Sequence, residues 1–170
     1  MKAALVCSNY ALSKDENIQN RAWPPVDLAN CAALLEQEGI QASIVDANME
    51  KLQPRQVAER VKGVDKVFIT STAIDRWQCP YRDLEPFAQT IQEIKAQGIQ
   101  VYAMGAHGTM KPQQVLELTG ADAVVVGEPE MVVKSICLHG TRESEGVCFK
   151  QNNEIVLRQQ QPFDLSMLPI

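Results

Sequence analysis

The chain has 170 residues, a one-domain length, and a domain of this size buries roughly 70% of its unfolded surface, so it needs no disulfide or metal staple. Hydrophobic residues make up 45% of it and charged residues 22%, ordinary values for a soluble globular protein. The net charge of −5 supplies no overall attraction to nucleic acid or to an anionic membrane, so neither is expected as a partner.

No apolar run approaches the ~20 residues needed to span a bilayer. The start, "MKAALVCSNY", is apolar over too short a run for a secretory signal, whose core takes about 7 to 15 residues. Cys7, Cys31, Cys79, Cys137 and Cys148 are odd in number and widely spaced, with no C-x-x-C pair, so a reduced, cytoplasmic protein without a zinc site is expected.

The predicted elements alternate in type. A first strand, "KAALVC" (2–7), ends in Ser8 and Asn9. A helix over 26–39 places Leu28, Ala32 and Leu35 on one face, with Pro24-Pro25 before it and Gly39 to end it. A strand (41–46), a short helix (54–63) with Val57 and Val61 four apart, and a third strand (65–70) follow. The next helix (83–98) turns Phe87, Ile91 and Ile94 inward. A fourth strand (99–104), a helix (111–120) with Val115 and Leu118 inward, a fifth strand (121–126) and a helix (129–140) complete the alternation. The strands are continuous apolar runs, as burial on both faces requires. Five such units give an α/β fold: a flavodoxin-like, doubly wound parallel sheet of five strands, order 2-1-3-4-5. Residues 146–159 read as a small C-terminal β-hairpin turning at Asn152-Asn153. The polar, then mixed segment after it reads as the start of a linker.

Ligands of such a sheet bind beyond the carboxyl ends of the strands. The loops that matter are 8–23, 47–53, 71–82, 105–110 and 127–129. A phosphoacceptor receiver needs acids after the first and third strands, where this chain has Ser8-Asn9 and Ser71-Thr72. A dinucleotide fold needs G-x-G-x-x-G after the first strand, and a flavodoxin a glycine-bearing phosphate loop; residues 8–23 contain no glycine. Gly105, Gly108 and Gly127 cluster instead after the fourth and fifth strands, where a flat ligand could approach the backbone. Ser71, Thr72, Asp75, Arg76 and Trp77 follow the third strand. Together these loops suit a large, mostly neutral ligand lying across the sheet's edge.

At these residues the chain resembles the N-terminal cobalamin-binding domain of cobalamin-dependent radical SAM enzymes. "PPVDLANCAALLEQEGIQASIVDA" is similar to that family's opening, "VFITSTAIDRW" to its third strand, "GAHGTMKPQQVL" to its G-G-x-H-x-T-x-x-P loop, and "ADAVVVGEPE" to its D-x-V-V-x-G-E-x-E strand. "FDLSMLP" resembles the exit into the radical domain. The resemblance spans almost the whole chain. It implies a cobalamin-binding Rossmann-like domain over 1–140, a hairpin appendage over 141–160, and at 161–170 the start of a linker to a radical SAM domain, possessed of its own S-adenosylmethionine and iron–sulfur cluster. Methyl transfer is one reaction such a parent performs. The sequence departs from the pattern at Ala106, where the family has the second glycine, and it lacks the C-x-x-x-C-x-x-C cluster ligands. By itself it is therefore not expected to be catalytic.

The resemblance further implies base-off cobalamin held without a protein ligand to cobalt, because the loop after the first strand has no His. Asn9 and Tyr10 would face the lower side of the corrin. Ser71, Thr72, Ala73 and Gly105, Ala106, His107, Gly108 and Thr109 would line the nucleotide tail. Alternatives stay open at several positions. His107 could bond the tail or corrin amides, pin its own loop, or ligate cobalt. Glu128 and Glu130 could bond cofactor amides or favour the start of the last helix. Trp77 could stack on the corrin or cover the core, and Arg76 could pair with Asp75. Asp46 reads as a local cap and His139 as a residue at a helix end. Two other functions remain: a binder of another nucleotide-like ligand, or a degenerate domain serving as an interaction scaffold.

Overall fold

The computed structural model describes residues 1–9, 24–71 and 83–162, together with 164, 166 and 168. Seven strands form one sheet: β1 (Lys2–Cys7), β2 (Gln41–Asp46), β3 (Lys66–Thr70), β4 (Gln100–Met104), β5 (Ala123–Val125), β6 (Val147–Gln151) and β7 (Glu154–Arg158), in the order β2-β1-β3-β4-β5-β6-β7. The first five are parallel and follow the expected order, with Cys7 opposite Thr70 and Thr70 opposite Met104. The sheet is nevertheless larger than the five strands expected, and it is mixed. The hairpin does not stand apart: β6 pairs antiparallel with β5, Val147 opposite Val125, and β7 pairs with β6. Its turn is the one the sequence signals, since Asn152 (φ 50) and Asn153 (φ 67) both take the left-handed conformation of a tight hairpin.

Six helices are described: α1 (Val26–Gln37), α2 (Pro54–Arg60), α3 (Glu85–Lys95), α4 (Ala106–Met110), α5 (Pro112–Thr119) and α6 (Pro129–His139). The period of two along each strand divides the core. Ala4, Val6, Val67, Ile69, Val101, Ala103 and Val124 face one side, where α2, α3 and α5 supply Val57, Phe87, Ile91, Ile94 and Val115. Ala3, Leu5, Phe68, Tyr102, Met104 and Val125 face the other, against Leu28, Cys31 and Leu35 of α1 and Val132, Val133 and Ile136 of α6. Phe68 and Tyr102 stack there with ring centroids 4.8 Å apart.

Two expectations fail for local reasons. Leu118 is half exposed, because the inward stripe of α5 runs through Val115, Leu116 and Thr119 and Leu118 lies beside it. The stretch expected as a loop over 105–110 is largely helical: α4 closes one turn, with the Thr109 amide donating to the Gly105 carbonyl at 3.0 Å and Lys111 to His107 at 2.8 Å. Asp46 is the local cap expected, its Oδ1 accepting from the amides of Asn48 and Met49. No helix among the described residues is long and apolar enough to cross a membrane. Cys7, Cys31, Cys137 and Cys148 form no disulfide, and Cys79 lies outside the described residues.

Candidate functional site

At their carboxyl ends β1 and β3 pass from apolar to polar residues that are still buried. Ser8, Asn9, Thr70 and Ser71 are all buried at the tops of β1 and β3, the neighbouring strands whose connections leave in opposite directions. The Ser8 hydroxyl donates to the Thr70 carbonyl at 2.8 Å, and the Ser71 amide to the Met104 carbonyl at 2.9 Å. These bonds make a polar floor across β1, β3 and β4. Asn9 points along the floor to the side, its Nδ2 donating to the Leu52 carbonyl in the β2–α2 turn at 3.0 Å.

Beside the floor, β4 and β5 end in a raised rim. Gly105 takes φ 110 and ψ −177, a conformation essentially reserved for glycine, and α4 starts directly after it. Ala106 and Thr109 are exposed, and His107 is half-buried. Burial holds the His107 imidazole below its usual pKa. Gly127 and Glu128 form the exposed rim at β5, and the Gly127 amide donates to the Thr109 hydroxyl at 3.1 Å, joining the two loops.

The three rim glycines differ in their reasons. Gly105 is partly exposed on the rim, and its φ of 110 with ψ near 180° is a backbone conformation that side chains do not permit. Gly108 is buried, and a Cβ there would sit 2.8 Å from Val124 Cγ1, so it is the residue that lets α4 lie on β5. Gly127 has φ 91, and a Cβ would run into the carboxamide of Gln160.

Glu130 is not on the rim. It is 6% exposed, turned toward α1, where its Oε1 accepts from Asn30 Nδ2 at 3.4 Å, while its Oε2 has no partner among the described residues. Burial raises the pKa of the nearby Asp27, and the charge of Glu130 adds to it. Burial also pushes up the thiols of Cys31 and Cys148, and that of Cys137 to about 11, so none is a ready nucleophile. Tyr10, Thr72, Ala73, Asp75, Arg76 and Trp77 lie outside the described residues. The structure thus brings together Ser71, Gly105 to Thr109, Gly127 and Glu128, and sets Asn9 and Glu130 at its margins.

One participant escaped the sequence reading. Gln160, just past β7, grips the main chain of Glu128: the Glu128 amide donates to Gln160 Oε1 at 2.8 Å and Gln160 Nε2 donates to the Glu128 carbonyl at 2.9 Å. The run Gln159–Gln161 carries no signal of which glutamine would do this. Among the described residues no group of three or more His, Cys, Asp or Glu is arranged to hold a metal ion. A shallow groove between α3 and α5, lined by Leu84, Gln92 and Leu118 among others, shares none of the rim residues.

No protein-family model matches the chain, and no curated protein sequence matches it. Solved structures do. The radical S-adenosylmethionine methyltransferase TsrM from Kitasatospora setae, with cobalamin and a [4Fe-4S] cluster bound, superposes with a TM-score of 0.74 at 16% identity over 99% of this chain and 30% of its own. The same protein with tryptophan substrate and the SAM analogue aza-SAM bound gives 0.72 at 16% identity, over 93% of this chain and 30% of that one. The chain therefore shares the fold of part of a cobalamin-containing radical SAM methyltransferase and spans about a third of its length.

Proposed function

We propose that this chain is the cobalamin-binding module of a radical SAM methyltransferase-like enzyme. The observation that carries the reading is the superposition of 99% of the chain on part of TsrM, a protein with cobalamin bound. The local chemistry supports it. Cobalamin is large and its corrin edge is studded with neutral amides, so a fitting surface offers backbone groups and uncharged hydroxyls rather than a phosphate cradle. The rim offers such groups at Gly105, Thr109 and Gly127, beside the His107 imidazole and the Glu128 carboxylate, with Gly105 keeping its backbone bare. Ser71, Gly105, Ala106, His107, Thr109, Gly127 and Glu128 would hold the cofactor, over a floor that includes Asn9. When bound, cobalamin supplies a cobalt centre for group transfer.

In this reading the cofactor is base-off and no protein nitrogen ligates cobalt. Residues 8–23 contain no His, and His107 lies beyond β4 rather than β1. Its depressed pKa keeps it neutral at pH 7, which suits it to one donor and one acceptor hydrogen bond toward amides. Residues 161–170 would begin the connection to a radical SAM domain carrying its own S-adenosylmethionine and iron–sulfur cluster.

Electron paramagnetic resonance of the reduced, reconstituted protein tests the reading. The expected spectrum is a retained cob(II)alamin signal whose cobalt lines lack nitrogen splitting. Triplets that vanish in His107→Ala would make His107 the axial ligand. Triplets that persist there and respond to labelling of the cofactor's own base would show base-on binding. Absence of any protein-bound cobalt signal would contradict the function itself.

A further inference from the structure

The β5–α6 loop lies where the sheet runs out of neighbours. The β5–β6 ladder has Val125 opposite Val147, and the Val126 amide reaches the Gly146 carbonyl at 2.7 Å. Beyond that point β6 no longer runs alongside. Glu128 is still extended, with φ −72 and ψ 124, and it presents an amide and a carbonyl as a strand would. Gln160 answers both. A carboxamide has the donor and acceptor of a peptide group, so a single side chain can stand in for the missing strand neighbour. The hairpin places it there, because Arg158 pairs with Val147 and Gln160 follows two residues later.

Two glycines make room for this side chain. A Cβ on Gly127 would collide with the Gln160 carboxamide itself. A Cβ on Gly146 would lie 3.2 Å from Gln160 Cβ, and also 2.6 Å from Val132 Cγ2 and 2.9 Å from the Val126 carbonyl. The clasp is thus built from three separated positions in the chain. Gly127 is tied on its other side to the Thr109 hydroxyl, so the clasp also bears on the rim at β4.

We infer that Gln160 is a positioning residue: its carboxamide holds the β5–α6 loop in the shape that presents Gly127 and Glu128 to a ligand, and so ties ligand affinity to the placement of the chain leaving β7. The affinity half of this rests on the cobalamin reading above. The clasp half does not.

Two measurements on the 170-residue chain separate the halves. In ligand-free protein, Gln160→Ala should speed hydrogen exchange at the Glu128 amide about tenfold while the Val124 amide is unchanged, as expected for the loss of a local bond worth about 1.4 kcal/mol. Equal exchange in the two proteins would overturn the clasp. In a hydroxocobalamin titration, Gln160→Ala should weaken binding about three- to tenfold, the range expected for a neutral hydrogen-bond pair at a solvent-exposed loop. Gln160→Glu keeps the size and the acceptor but sets a carboxylate against the Glu128 carbonyl, and should weaken binding too. Wild-type affinity in a folded Gln160→Ala protein would overturn the positioning role. A wild-type chain that retains no cobalamin would overturn both the site and its link to Gln160, with the clasp still decided by exchange.

Discussion

At Gly105 the cofactor proposed for the rim would meet a backbone conformation reserved for glycine. Its φ of 110 with extended ψ is open to glycine and hardly to any other residue. Gly105→Val should therefore lose about 1–3 kcal/mol of folding stability in urea titrations, the strain expected for such a conformation. The folded fraction should also bind cobalamin more weakly, because a branched side chain would stand on the rim. Normal binding by that fraction would make Gly105 a folding glycine alone. His107 gives a pH signature. Its folded pKa is lowered from 6.5, so the unfolded chain takes up protons first as pH falls. Its contribution to stability is complete above about pH 6.5 and declines below it. Comparing denaturation midpoints at pH 7.5 and 5.5, His107→Gln should lose less stability on acidification than wild type. An identical loss in both proteins would show that His107 does not contribute.

At the level of elements, α4 is the feature that turns a generic sheet edge into a rim. It lies on β5 through Gly108, whose missing Cβ leaves room for Val124 Cγ1 and the Val125 carbonyl. Gly108→Ala should cost roughly 1–3 kcal/mol through overpacking. Combined with Val124→Ala it should cost less than the sum of the two, since the second change vacates the space the first invades. Strict additivity in chemical denaturation would show that the two residues do not meet. The sequence showed β1, β3, β4 and β5 through apolar runs with polar or glycine residues after them, and their order followed from right-handed crossovers between alternating strands and helices, whereas β2 (QASIVD) is an edge strand with only Val45 buried. The sequence did not show α4, because "AHGTM" has no helical stripe and follows a glycine that reads as a turn. It showed the hairpin through Asn152-Asn153 but not its destination, because pairing with β5 is decided by an edge left open at Val125, not by any local residue. Gln160 was invisible for the same reason: its role is set by register across the hairpin. Gly108 and Gly127 were read as ligand glycines, yet their nearest demands come from Val124 and Gln160.

For the whole molecule, the sheet's two faces are closed by α1 and α6 on one side and α2, α3 and α5 on the other, leaving the carboxyl edge as the place where buried polar side chains and exposed backbone meet. A ligand held there should stabilise the entire fold, by about 2.7 kcal/mol at a free concentration one hundred times its dissociation constant. Hydroxocobalamin should accordingly raise the unfolding midpoint in a concentration-dependent way, and an unchanged midpoint at saturating cofactor would argue against a native-state complex. The most direct measurement is equilibrium dialysis of the purified chain against hydroxocobalamin, with the retained cofactor counted by its absorbance. Retention should saturate at about one cobalamin per chain, the stoichiometry of a single saturable site. A chain that is folded by circular dichroism and retains none would contradict the cobalamin reading and leave a sheet of this fold serving another ligand or a protein partner.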